Sequence, residues 1–328
     1  MNNTNLLSTL FRSLLGILSP GGRRARLQIL IYHQVHQAPD PLRPEVLDAK
    51  MFDWQMSLLA HHFTVLPLEE AIQRLRDGTL PARAACITFD DGYRDNIEVA
   101  LPILLQYSLP ATFFIATGFL NGGIMWHDSV IEAVRSYKGD LLDLSDSLGQ
   151  RFLTETIYEK RRTIRRLVQL LKGFAPDVRD KEVDHIVKIC SGSIPQNLMM
   201  TTNQVQQLLV NGMAVGCHTS KHPVFTTVSN ETVQQEIRDG RAELEKITGQ
   251  PVKLFAYPNG KPVQDYVADH VSLVREFGFD AAVSTASGVA GRSCDYWQLP
   301  RFTPWDKTPE RFLSRLLLNC VITCPKVA

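Results

Sequence analysis

Residues 84–117, AACITFDDGYRDNIEVALPILLQYSLPATFFIAT, decide how this chain is read. Ala84–Phe89 is a short apolar run that stops at Asp90-Asp91-Gly92. Asn96–Tyr107 then carries apolar residues at helical spacing, and Ala111–Thr117 is apolar again. A strand, a helix of about a dozen residues and a second strand make a βαβ unit, so the sheet is parallel.

The same rhythm extends outward. Leu27–Val35 (LQILIYHQV) reads as a buried strand that closes on Tyr32-His33-Gln34. Downstream, helices at Thr202–Val210, Glu231–Thr248 and Val263–Phe277 alternate with strands at Ala214–Cys217, Val252–Tyr257 and Ala281–Ser284. Leu299-Pro300-Arg301 ends a further short strand, and Pro309–Cys320 is a last helix. So many repeats predict an α/β barrel or near-barrel. Between Trp126 and Pro195 the pattern turns helical and polar, which marks an insertion. Its basic run, Lys160, Arg161, Arg162, Arg165 and Arg166, reads as a solvated helix face.

The 328 residues suffice for a large core, and 44% hydrophobic with 21% charged residues is globular composition. The formal net charge of +1 gives no basic excess for a nucleic-acid partner. No apolar run is long enough to span a bilayer. The six cysteines are scattered without a CxxC pair, so no disulfide framework is expected and a reducing, cytoplasmic compartment fits.

Residues 1–26 read as an amphipathic helix and a basic linker, ahead of a barrel domain over 27–328. Leu6, Leu7, Leu10, Phe11, Leu14, Leu15 and Leu18 form one stripe, and Arg23, Arg24 and Arg26 follow. Arg12 interrupts the run and no cleavage site follows, so it is a poor secretory signal. Two fates fit: peripheral contact with an anionic membrane, or packing on the chain's own domain.

Chemistry in such folds gathers where apolar strands end. Asp90 and Asp91 cannot point the same way from adjacent backbone positions, so one can bind a metal while the other stays free as a base. His218-Thr219-Ser220-Lys221-His222 carries two imidazoles at i and i+4, read as one side of a helical turn able to bind one ion. Phe255-Ala256-Tyr257-Pro258-Asn259-Gly260 is a rigid turn, where Tyr257 and Pro258 are candidates to touch substrate. Two His and one Asp leave a fourth coordination position open, the arrangement of catalytic zinc sites. Zn²⁺ is therefore expected, with Ni²⁺ or Co²⁺ as alternatives. Trp126, at the entrance to the insertion, is a candidate wall of a sugar pocket.

These sets, in this order, resemble the polysaccharide deacetylase family, also called the NodB-homology family or carbohydrate esterase family four. TFDDG at 88–92, HTSKH at 218–222 and FAYPNG at 255–260 are similar to its three motifs. The resemblance runs over roughly Leu27 to Trp305. It implies a distorted (β/α) barrel of about seven parallel strands and metal-dependent removal of acetyl groups from a carbohydrate. By motif position Asp90 is the implied general base, and Asp91, His218 and His222 the implied metal ligands. The Tyr257 N–H is the implied oxyanion donor.

Two motif residues are missing. The third motif lacks its usual Arg, and Leu299-Pro300-Arg301 stands where a late Leu-x-His normally supplies the general acid. Some branches, biofilm-polysaccharide deacetylases among them, carry a Tyr-His pair on the first strand, as Tyr32-His33 does here. His33 is therefore expected to replace the acid and Arg301 the missing Arg. The expected substrate is an N-acetylated sugar of a glycan or glycolipid. The competing readings are an amidase or deformylase on a non-sugar, and a non-catalytic carbohydrate-binding module. A glycosyltransferase using Asp90-Asp91 is disfavoured by the His pair, because ions on phosphates prefer oxygen ligands.

Overall fold

A computed structural model describes residues 3–191, 194–322 and 327–328, with side chains from residue 11 onward. Seven parallel strands form the central sheet: β1 Gln28–Tyr32, β2 Thr64–Val65, β3 Ala84–Phe89, β4 Thr112–Ile115, β5 Ala214–Cys217, β6 Leu254–Ala256 and β7 Ala281–Val283. They run in the order β1-β3-β4-β5-β6-β7, and β2 pairs with the start of β3. β1 and β3 are buried along their whole length, which explains their unbroken apolar sequences. Leu299 bridges to Val283, and Phe302 bridges to Leu30, both in parallel. The segment 299–302 therefore lies between β7 and β1 and brings the sheet round into a distorted barrel.

Eleven helices accompany the strands: α1 Asn3–Leu18, α2 Ala49–His62, α3 Leu68–Asp77, α4 Leu101–Gln106, α5 Trp126–Ser136, α6 Ile157–Lys172, α7 Pro176–Cys190, α8 Thr202–Val210, α9 Asn230–Thr248, α10 Ala268–Glu276 and α11 Pro309–Asn319. Local chemistry sets many of their ends. Asp48 accepts from Met51 N–H ahead of α2, and the pairs Thr156/Glu159 and Thr201/Gln204 form capping boxes.

Three boundaries differ from the sequence reading. The helix expected at Asn96–Tyr107 begins as a π-helical turn over Asn96–Ala100. Pro102 has no N–H for the carbonyl four residues back, and Leu101 N–H reaches Asn96 instead. The helix expected from Val263 starts at Ala268, because Val263 adopts φ 69° and Asp265 ties a turn back to Lys261. The insertion contains an antiparallel hairpin, Leu141–Leu144 with Gln150–Leu153, beside α5, α6 and α7. It packs around its own core, including Val130, Leu142, Leu167 and Ile186.

The amino-terminal segment belongs to the barrel body. Leu15 is wholly buried in the main core, and Phe11 meets the His62 ring at 4.8 Å. Leu18 also packs there, whereas Leu14 and Ile17 are exposed. The side chains of Leu6, Leu7 and Leu10 lie outside the described residues. Arg26 donates to the Cys320 carbonyl, tying the linker to α11. No helix among the described residues is long and apolar enough to cross a membrane. Cys86, Cys190, Cys217 and Cys320 are free and buried, but Cys294 is disulfide-bonded, which corrects the expectation of six reduced thiols.

Candidate active site

Two chain reversals build the centre. After β3, Asp91 takes a left-handed φ of 76° and Gly92 follows at 90°. The two neighbouring carboxylates are thereby sent to different partners. A side chain at 92 would also press on Ile115, so the turn calls for glycine.

Asp90 faces Arg301. The guanidinium grips both carboxylate oxygens, at 2.7 and 2.6 Å, and both groups are buried. Arg301 also donates to the Ser284 carbonyl at 2.8 Å and to Thr88 Oγ1 at 3.2 Å. Burial alone would raise the Asp90 pKa; the charge of Arg301, aided by His218, outweighs it and holds the carboxyl below its usual range. Arg301 thus occupies the place expected of the missing Arg.

Asp91 faces the histidines. Its Oδ1 lies 3.4 Å from His218 Nε2 and 3.4 Å from His222 Nε2. Burial favours the neutral acid, but the two imidazoles hold Asp91 far down. Burial pushes His222 down to about 3, so its ring is neutral with a lone pair available. His218 Nδ1–H donates to the Ala256 carbonyl at 2.7 Å, which leaves its Nε2 lone pair turned toward Asp91. Asp91 Oδ1 is buried and receives no hydrogen bond from the described residues. Three electron-rich atoms facing one another suit a cation. Ligands 2.0–2.1 Å from a tetrahedral ion lie about 3.3–3.4 Å apart, the spacing seen here between Asp91 and each histidine. Asp91, His218 and His222 are also the one group of its kind found among the described residues.

The His218–His222 loop is not the helical turn expected from its spacing. Thr219 and His222 both have left-handed φ, 64° and 55°, and this folding brings the ring centroids to 4.7 Å. Thr219 Oγ1 accepts from His222 N–H at 3.0 Å. Helix α9 clamps the loop from outside. Glu236 accepts from the N–H groups of Ser220 and Lys221, at 3.1 and 2.6 Å. One turn later, Gly240 lets the helix approach so closely that an added Cβ would stand 2.5 Å from the Thr219 carbonyl carbon.

Above the centre is a cavity of about 290 Å³, lined among others by His33, Arg43, Asp91, Tyr93, His127 and Trp305. His33 is exposed there, and its backbone carbonyl is fixed by Asn96 Nδ2 at 2.7 Å. Tyr93 donates to Asp128 at 2.8 Å, so its oxygen can accept from His127 Nε2, 3.1 Å away. Trp305, 63% exposed, presents an aromatic surface at the rim.

Three expected residues stand elsewhere. The Tyr257 N–H donates to the Val283 carbonyl at 3.2 Å, and its ring is buried, stacked on Tyr266 at 4.0 Å. It is therefore not the free oxyanion donor. Pro258 is buried and, like Tyr257, is not among the lining residues of this cavity. Trp126 lines a different cavity, beneath Arg179 at 5.0 Å. Trp305, Tyr93, His127 and Arg43 escaped the sequence reading. His127 had one available signal: it opens the helix that begins the insertion.

Comparison with known proteins agrees with this geometry. The family model described as "Polysaccharide deacetylase" matches residues 77–137 and 183–282. YxkH of Bacillus subtilis (strain 168) is 20% identical over 279 residues, 84% of this chain and 71% of its own length. The poly-beta-1,6-N-acetyl-D-glucosamine N-deacetylase of Staphylococcus aureus (strain MSSA476) is 41% identical over 64 residues, 20% of this chain and 22% of the relative. Among solved structures, the Streptococcus pyogenes deacetylase PplD superposes with a TM-score of 0.61 at 20% identity, covering 90% of this chain and 99% of its own. IcaB from Ammonifex degensii gives 0.57 at 17% identity, covering 92% and 98%. Both share the fold. On the matched motifs and the matched barrel together, the chain belongs to the polysaccharide deacetylase family.

Proposed function

We propose that the protein is a metal-dependent deacetylase that frees amines on N-acetylated sugars of a polysaccharide or lipid-linked saccharide. The observation that carries this is the pairing of two differently prepared carboxylates. Asp91 joins His218 and His222 around a cation-shaped gap, while Asp90 beside them is held ionised by Arg301. When bound, a divalent ion polarises the acetyl carbonyl and acidifies water. Asp90 accepts a proton from the attacking water, and an imidazole at the cavity gives one to the departing amine. Trp305 supplies a flat face for a sugar ring. The staphylococcal relative's activity on poly-beta-1,6-N-acetyl-D-glucosamine points to an N-acetylglucosamine polymer as the first substrate to try.

His33 is the proposed donor from its place at the end of β1. A second reading favours His127, because it has the partners a proton donor needs: the Tyr93 hydroxyl and, at 3.6 Å, the Asp128 carboxylate. His33→Ala and His127→Ala, compared at equal metal content, separate the two. The true donor loses about 10²-fold in kcat or more.

The test of the function is acetate release from β-1,6-linked N-acetylglucosamine oligomers by protein loaded with Zn²⁺, Co²⁺ or Ni²⁺. Chelation should abolish it. Asp90→Asn should keep the metal and lose at least about 10²-fold in kcat, whereas Asp91→Asn should lose the metal. Absence of release with every metal and acetylated glycan tried, or metal loss in Asp90→Asn alone, would overturn the reading.

A further inference from the structure

Next to the catalytic cavity lies a larger one, about 570 Å³, within the range of ligand pockets. Its walls include Phe119, Trp126, Asp177, Arg179, Lys221 and Glu236. Two pairs of consecutive residues form the partition between the cavities. Trp126 faces the larger cavity and His127 the catalytic one. Lys221 faces the larger cavity, and its neighbour His222 belongs to the Asp91–His218–His222 cluster. A chain molecule leaving the catalytic cavity across this partition enters the second one.

The chemistry of the walls suits a sugar. An indole and a phenyl ring supply apolar faces, and carboxylate, guanidinium and ammonium groups surround them as hydrogen-bond partners. The far wall comes from α7 of the insertion, which contributes Asp177 and Arg179. Both lie in the stretch that the family model leaves unmatched, between residues 137 and 183.

We infer that this cavity is a second saccharide subsite. It holds the sugar next to the one being deacetylated, so the preferred substrate is an oligomer and the insertion exists to grip it. This rests on the proposed deacetylase function. Binding energy won at a neighbouring sugar raises turnover at the reacting one.

The experiment measures kcat/KM for metal-loaded protein on β-1,6-linked N-acetylglucosamine oligomers of one to five sugars. Wild type should gain about 10-fold or more between the shortest accepted substrate and the longer ones. Trp126→Ala and Arg179→Ala should erase most of that gain, leaving the shortest substrate within about twofold, with metal content and Tm unchanged. Trp126→Phe should restore much of it. Equal loss at every length, or no loss in either variant, would overturn the subsite. If wild type releases no acetate, the function fails separately. Calorimetric titration with the pentamer then reads the subsite directly: affinity lost in Trp126→Ala supports it, and unchanged affinity overturns it.

Discussion

Arg301 governs whether Asp90 is a base. It is a wholly buried cation gripping a buried anion, so its removal strands a charge in the core. Arg301→Gln is expected to cost about 3–5 kcal/mol in urea unfolding. Its kcat should fall at least about 10²-fold with the metal retained, because a neutral Asp90 cannot take the proton. Arg301→Lys should recover only part of both, since a point charge cannot grip two oxygens at once. Retained stability and turnover in Arg301→Gln would remove Arg301 from the mechanism. At this scale the sequence was informative about residue type and weak about direction. Asp90, Asp91, His218 and His222 were legible because carboxylates and imidazoles at strand ends are costly without a purpose. Tyr257 misled because a strand's last N–H is either free or paired according to its neighbour, and here β7 reaches far enough to take it. Trp305 was illegible because no periodicity governs a loop side chain.

The loop that carries both histidines shows what an element owes to its surroundings. The i and i+4 spacing suggested a helical turn, yet the backbone at Thr219 and His222 takes the left-handed region that a β-branched residue ordinarily avoids. Helix α9 imposes it, through Glu236 on two N–H groups and Gly240 at van der Waals contact. None of this was visible in the motif, because the clamp lies about twenty residues downstream on what reads as an ordinary amphipathic helix. Gly240→Ala places a methyl where the loop backbone sits. It should destabilise the fold by about 1–3 kcal/mol. Its metal affinity should fall about 10-fold or more, read by competition with a chromophoric chelator. Unaltered metal affinity in a folded Gly240→Ala protein would show that the loop holds its shape unaided.

Across the whole molecule, the alternation of strands and helices gave the class and the approximate strand count. The neighbour relations came only from structure: β2 and β4 both lean on β3, and 299–302 closes the ring. The amino-terminal stripe was legible as amphipathic, but what covers it was not, because an apolar stripe suits a bilayer and a core equally. Leu15 settles one part of it, lying inside the main core. Leu15→Ala should therefore cost about 2–5 kcal/mol in equilibrium unfolding, as an interior truncation does. A change below about 0.5 kcal/mol would show the helix to be detached in solution.

The position of Arg301 on the closing segment has a consequence for the order in which the protein comes alive. It lies 211 residues from Asp90, while every member of the Asp91–His218–His222 cluster precedes it in the chain. During synthesis the amino-terminal parts emerge first, and the longest loop closures come last. A nascent or carboxy-terminally clipped chain reaching residue 290 has every ligand needed to capture an ion, but nothing to charge its base. Loading with metal and competence to turn over are thus separate milestones, and a truncated product would be a metal-binding protein without hydrolytic power.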